Sequence, residues 1–189
     1  MVGKVSPKLT PITWMRAAFQ ELSRGGVAAL KVEVLAKRLK TTKGSFYWHF
    51  KDVQTFKLEM LKLWEVEATK AVMIAVEVAA PQGRQRLQAL TNIISQMNAE
   101  NNYGGLRAEP AIREWARIDA VAATAMQKVD AARIAFVKKL FIEIGCNASD
   151  AKQRAEVFYC GFLGFQTIAS IKPFDLKSRM ELLLKLLLT

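Results

Sequence analysis

Residues 35–52 read Leu35-Ala36-Lys37-Arg38-Leu39-Lys40-Thr41-Thr42-Lys43-Gly44-Ser45-Phe46-Tyr47-Trp48-His49-Phe50-Lys51-Asp52, and this stretch decides the fold. It opens with the end of a short helix whose apolar face carries Val32, Leu35, Ala36 and Leu39. Ala36 lies between larger apolar neighbours, where a small side chain lets a second helix cross closely. A turn of about three to four residues follows. A second helix then runs over about residues 43–49 with a polar first turn. This is the form of a helix-turn-helix. Its second helix fits a major groove about 12 Å wide, with N-terminal residues at base edges and amides toward phosphate. Short helix pairs of this form also occur in proteins that bind nothing.

Outward from that stretch the chain reads as helix nearly throughout. Thr10-Pro11 is a helix start, a capping hydroxyl followed by proline at the first helical position. Trp14, Met15, Ala18, Phe19 and Leu22 then recur at helical spacing up to Gly25-Gly26. From Asp52 a long amphipathic segment carries Phe56, Met60, Leu63, Trp64 and Ala68 to about Ala79, where Pro81-Gln82-Gly83 ends it. Further helices are expected over 84–100, 110–117 and 119–144, with a turn-rich loop at 101–105. Ser149 is expected to cap a helix running to Ile171, and Asp175 a last one made mostly of leucine. The fold class is all-α, with about nine helices: a three-helix head over residues 1–52 and a larger helical domain over 53–189. The long helix from Asp52 is their only covalent link, and Trp64 lies about three turns along it.

Charge is distributed unevenly. The chain of 189 residues carries a net charge of +11. Residues 1–52 hold ten Lys/Arg against three acids, and residues 53–189 hold eighteen against fourteen. The head therefore carries most of the excess, which favours a polyanionic partner. Two cysteines, Cys146 and Cys160, and a single histidine form no zinc or Cys-x-x-Cys pattern, so no metal or cofactor is expected. Residues 1–10 lack the apolar core of a signal peptide. Met180–Leu188 is about half the ~20 residues a spanning helix needs and is broken by Glu181 and Lys185. A cytoplasmic protein with free thiols and no membrane partner is expected.

Lys43 to Asp52, with Tyr47, Phe50 and Lys51 in the aromatic run, resembles the recognition-helix signature of the TetR family of bacterial repressors. The Leu30…Leu35-Ala36…Leu39 spacing and the turn Gly25-Gly26-Val27 match as well. The resemblance is specific over about residues 10–60 and architectural beyond. Arg113-Glu114-Trp115-Ala116-Arg117 and Asp130-Ala131-Ala132-Arg133 are similar to segments of some members. The family often has glycine at the first turn position, where this chain has Lys40. If Lys40 is left-handed, its side chain costs about 1 kcal/mol. The resemblance implies a homodimer on a palindromic double-stranded DNA operator, with a cavity for a small-molecule inducer.

Candidate DNA contacts follow by type. Lys43 and Ser45, with Gly44 in the same first turn, are placed to read bases: lysine suits guanine and serine either partner. By resemblance, Tyr47 and His49 occupy phosphate-contacting positions. Trp48 either packs on a backbone or meets a thymine methyl. Thr42 is a helix cap or a contact, and Lys31 and Lys51 are assigned to phosphates or to solvent. Phe46 and Phe50 read as core. In the larger domain Met60, Trp64, Met97, Trp115, Phe141 and Phe165 are candidates to line a cavity, against plain core packing. Few polar residues fall at core spacing, which suggests an apolar or aromatic ligand. Arg107 and Arg113 either meet a carboxylate or face solvent. Phe158, Phe162 and Phe165, with Leu182–Leu188 and the close-approach positions Gly161 and Gly164, suggest a dimer interface on the last two helices. An enzyme is disfavoured, because no nucleophile–base motif or phosphate-binding glycine loop appears. The competing reading is a helical small-molecule-binding protein whose head reads no DNA sequence.

Overall fold

The computed structural model describes residues 9–96 and 107–189, and among these every regular element is helical. The head comprises α1 (Pro11–Gly25), α2 (Val32–Arg38) and α3 (Lys43–Tyr47). Next come α4 (Val53–Glu65) and α5 (Ala71–Ala79), joined without a break by a π turn, Val66–Lys70. The remaining helices are α6 (Gly83–Ser95), α7 (Ala108–Ala116), α8 (Ala120–Glu143), α9 (Ala148–Ile171) and α10 (Leu176–Leu187). Since α4 and α5 form one rod, the described residues contain nine rods, as the periodicity suggests. Met97 and the stretch 101–105 lie outside the described residues.

Local chemistry accounts for most helix ends. The Thr10 side chain accepts from the Thr13 amide, Asp52 from Thr55, Asp119 from Val121 and Ala122, and Asp175 from Ser178. The cap of α9 is Asn147 and not Ser149: its Oδ1 accepts from the amides of Ser149 and Asp150, both at 3.0 Å, and its Nδ2 donates to Asp150. An asparagine two residues upstream thus satisfies two open amides at once. Helix α7 starts before Pro110, which sits in the first turn, where a missing N–H breaks no helical bond.

Packing organises the molecule into two cores. One runs from the head into the rod and α7: Trp14, Phe19, Leu35, Phe46, Phe50, Phe56, Met60, Trp64, Ile112 and Trp115 belong to a single buried cluster. Phe46 is its pivot, with ring centroids 5.3 Å from Trp14, 5.1 Å from Phe50 and 5.1 Å from Phe56. Helix α7 packs directly on α1, so the head touches the body through this contact as well as through the rod. The other core joins α5, α6, the second half of α8, α9 and α10 around Val76, Leu87, Phe141, Phe158 and Met180. Phe158 and Phe162 are buried here, facing inward and not outward. The apolar stripe left exposed on α9 is Val157, Ile168 and Ile171, and on α10 Leu182 and Leu186.

The turn between α2 and α3 is strained at one residue. Lys40 has φ of 52°, the left-handed region that glycine adopts without penalty. The amide of Thr41 bonds to the Ala36 carbonyl at 2.9 Å and that of Lys40 to Lys37 at 3.2 Å, the double closure of a Schellman turn. That closure needs the positive φ whichever side chain is present. Lys40→Gly is expected to stabilise the protein by about 1 kcal/mol, read as a rise in the urea midpoint at fixed protein concentration. A lower midpoint would show that the lysine side chain contributes more than its strain costs.

Candidate functional site

In the head, α3 is held by what lies beneath it and leaves its outer side free. Phe46 and Phe50 are buried, and the amides of His49 and Phe50 bond back to the Phe46 carbonyl, so the helix closes tightly after Tyr47. Lys43, Gly44, Tyr47, Trp48 and Lys51 are exposed, whereas Ser45 and His49 are half-buried. Trp48 is 88% exposed and packs on no core of its own chain. Thr42 caps α3, its Oγ1 accepting from the Ser45 amide at 3.4 Å. Lys31 is exposed just before α2. The Lys43 ammonium lies 2.5 Å from a Glu33 carboxylate oxygen, and this bond holds the exposed carboxyl below its usual range. Glu33 is a partner that the sequence reading missed. Arg38 ties α2 to α1 by bonding Glu21 and Gln20, which sets the angle at which α2 presents α3.

Residues 15–54 match the family model described as bacterial regulatory proteins, tetR family. The match covers the head, 40 of the chain's 189 residues. The fold agrees along nearly its whole length. A transcriptional regulator from Rhodococcus sp. Rha1 superposes with a TM-score of 0.76 at 16% identity, covering 95% of this chain and 96% of that one. NemR of E. coli in its reduced form gives 0.70 at 18%, covering 90% and 94%. SmeT, the repressor of the Stenotrophomonas maltophilia multidrug efflux pump SmeDEF, gives 0.65 at 18%, covering 97% and 90%. Among curated protein sequences none matches. The head thus matches the DNA-binding part of that family, and the chain as a whole shares the fold of these solved regulators. None of the helices in its described residues is long and apolar enough to cross a membrane.

The second site is a cavity of about 50 Å³ where the two cores meet. Its walls come from the π turn (Ala68, Thr69), α5 (Val72, Met73), α6 (Leu90, Ile94), α8 (Phe136, Val137) and α9 (Phe158, Phe162). Glu109, Arg133 and Tyr159 form a polar end. None of the described residues expected to line a cavity does so: Met60, Trp64 and Trp115 are head-side core, Phe141 is distal core, and Phe165 packs beside Phe174. The Trp64 ring lies 5.6 Å from the guanidinium carbon of Arg133, a residue of the cavity wall.

The polar end is a balanced ionic cluster. Arg133 Nη1 donates to both oxygens of Glu109, at 2.8 Å each, and to the Tyr159 hydroxyl at 3.3 Å. Its Nε donates to Thr69 Oγ1 and its Nη2 to the Ala68 carbonyl, both at 3.1 Å. Arg113 donates to Asp130 at 2.7 and 3.1 Å, to Glu109 at 2.9 Å and to Tyr159 at 2.9 Å, and Tyr159 donates to Asp130 at 2.7 Å. Two guanidiniums face two carboxylates. Burial works against the charge on each arginine, but the carboxylates outweigh it and the net shift is upward. Burial, chiefly, raises the Tyr159 hydroxyl too, which keeps it a neutral donor. Arg107 is exposed and donates to the Ser170 carbonyl at 3.0 Å. The legible signals for this cluster were the i,i+4 pair Glu109/Arg113 and the pair Asp130/Arg133, but nothing in spacing brings the two segments together.

Glu109 is only 4% exposed, so removing its main partner strands a carboxylate. Arg133→Met is expected to cost about 3–5 kcal/mol in urea unfolding. The double variant Arg133→Met with Glu109→Met should recover much of that loss. A double variant as unstable as the sum of the two singles would show that the pair is not coupled.

Proposed function

We propose that the chain is a repressor which binds a palindromic operator as a homodimer and is released when a small, largely apolar or aromatic molecule enters the cavity at the π turn. In this reading residues 1–52 bind DNA in the cytoplasm, and residues 53–189 dimerise and bind the ligand. The observation that carries the reading is the outer side of α3. It offers Lys43, Gly44, Tyr47 and a solvent-exposed Trp48 above a rigid aromatic base, with Lys31 and Lys51 flanking. Lys43 and Ser45 read bases, and Trp48 meets a thymine methyl. Tyr47, His49, Lys31 and Lys51 hold phosphates. In free protein Lys43 is paired with Glu33; guanine offers a replacement acceptor and the phosphates draw the head in.

Operators are recovered by selection from random duplexes and affinity is followed by fluorescence anisotropy. Lys43→Ala should cost about 1–3 kcal/mol on the selected duplex and relax preference at one position per half-site. Tyr47→Phe should weaken selected and unrelated duplexes alike. If both variants bind as wild type does, α3 is not the reading helix. If selection yields only weak, strongly salt-dependent binding, the protein is a ligand-binding module that reads no sequence.

The dimer interface proposed is the outer stripe of α9 and α10: Val157, Gly164, Ile168, Ile171, Leu182 and Leu186. Gly161 and Gly164 divide the work between them. A Cβ on Gly161 would run into Leu183 of α10, so that glycine serves packing within the subunit. A Cβ on Gly164 would meet nothing within 4 Å, so its use lies outside the subunit. Two such stripes across a two-fold axis bury exposed apolar surface on both sides. Ile168→Glu combined with Leu186→Glu touches no core and should give folded monomers by analytical ultracentrifugation. An intact dimer would sink the assignment.

A further inference from the structure

The rod carrying the head is interrupted by a π turn in which the Ala71 amide bonds to the Val66 carbonyl, five residues back instead of four. Such a turn holds one residue more than the α-helix accommodates and persists where something outside the helix favours it. Here that is Arg133. Its Nη2 holds the Ala68 carbonyl and its Nε holds Thr69 Oγ1, while Nη1 is anchored on Glu109 of α7. Thr69 is buried. Ala68, Thr69, Val72 and Met73, from the π turn and the turn after it, are also cavity wall, with Arg133 at the polar end.

We propose that Arg133 and the π turn form the transmission element between cavity and head. The guest is a neutral, mainly apolar molecule with one hydrogen-bond acceptor, which takes the Arg133 donors now spent on Ala68 and Thr69. This rests on the ligand-responsive reading above. The guest is neutral because the cluster is already balanced, and an ionic guest would bring an uncompensated charge into a site walled by hydrocarbon. It carries an acceptor because arginine offers only donors. The bonds to Glu109 are charged on both sides and outlast competition from a neutral oxygen. Those to a carbonyl and a hydroxyl are of the kind a ketone oxygen replaces one for one. The cavity is far below the ~300–1,000 Å³ of formed ligand sites, so a guest must displace Val72 and the pliable Met73 at the start of α5. Freed from Arg133, the surplus residue redistributes along the rod. A shift of one residue in helix phase is about 100° and 1.5 Å, which α4 conveys to Phe56 and the head.

The test follows deuterium exchange across residues 66–73 in the full-length protein, alongside anisotropy on the selected duplex. Acetophenone, a neutral arene with one carbonyl, is expected to speed exchange there by about tenfold and to release the duplex. Isopropylbenzene has nearly the same shape without the oxygen and is expected to do neither. Arg133→Lys and the milder Thr69→Val should each show faster exchange at 66–73 with no addition, while α8 retains its protection. Exchange at 66–73 that matches wild type in Thr69→Val and in folded Arg133→Lys overturns the clamp. Equal effects of the two arenes, or none from either, overturn the acceptor. Release of the duplex by acetophenone without any change at 66–73 overturns the transmission element and leaves the ligand-responsive reading intact. A duplex selection that returns nothing sinks that reading by itself and removes the output at the head.

Discussion

A guanidinium cannot shed its charge inside a protein, so burying Arg133 obliges the fold to supply acceptors from every side. They come from four directions: the π turn, Glu109 on α7, Tyr159 on α9 and, through Tyr159 and Arg113, Asp130 on α8 itself. The Trp64 ring closes one face. Arg133 thus contacts the rod, α7 and α9 at once. The cluster lies where the head-side core gives way to the distal core, so the boundary between them is polar, and a polar boundary gives way in a different manner from a hydrocarbon one. A buried network is worth much when complete and costs much when one member is lost.

The head depends on a different kind of contact. Helix α3 has five residues, too few to be stable alone, and it exists because Phe46 is locked among Trp14, Phe50 and Phe56. Phe56 belongs to the rod, so the orientation of α3 is set partly by α4. The same cluster takes in Ile112 and Trp115 of α7, which packs on α1. Head and body are therefore joined twice, by the rod and by α7, and Arg133 bonds to both through Ala68 and Glu109. Both joints meet the aromatic group around Phe46.

How much of this was legible in the sequence follows from how local each feature is. The caps at Thr10 and Asp175 and the aromatic base of α3 are decided within a few residues, and they appear where the sequence puts them; Lys40, whose conformation the sequence left open, is left-handed. Asn147 and Ser149 can both cap; only the geometry of the first turn chooses Asn147, which reaches two amides. Helix α9 has two apolar faces. Spacing cannot tell which one is inside, and Phe158 with Phe162 proved to be the inner face, leaving Val157, Ile168 and Ile171 outside. The large apolar side chains expected around a cavity went to the cores because large, rigid groups pack well. The cavity lies where packing fails, beside the ion cluster and the π turn. A π turn leaves no mark on hydrophobic periodicity, since its stabilising partner is more than sixty residues away.

Energies set the scale of the proposed switch. At about 24 cal/mol per Å³, a void of 50 Å³ costs about 1 kcal/mol. The two Arg133 bonds to neutral acceptors contribute about 0.5–1.5 kcal/mol each in the same terms, or somewhat more because the donor is charged. A guest that fills the void and replaces those bonds gains the first amount and exchanges the second at little net cost. The differential available between an Arg133-clamped rod and a released one is thus on the order of 1–3 kcal/mol, the range in which effector couplings usually fall. A fully packed, fully satisfied centre would have nothing to gain from a guest. A larger void would reduce the stability of the unliganded protein. The small void beside a buried arginine, with the surplus residue of the rod held in its grip, lies between those limits.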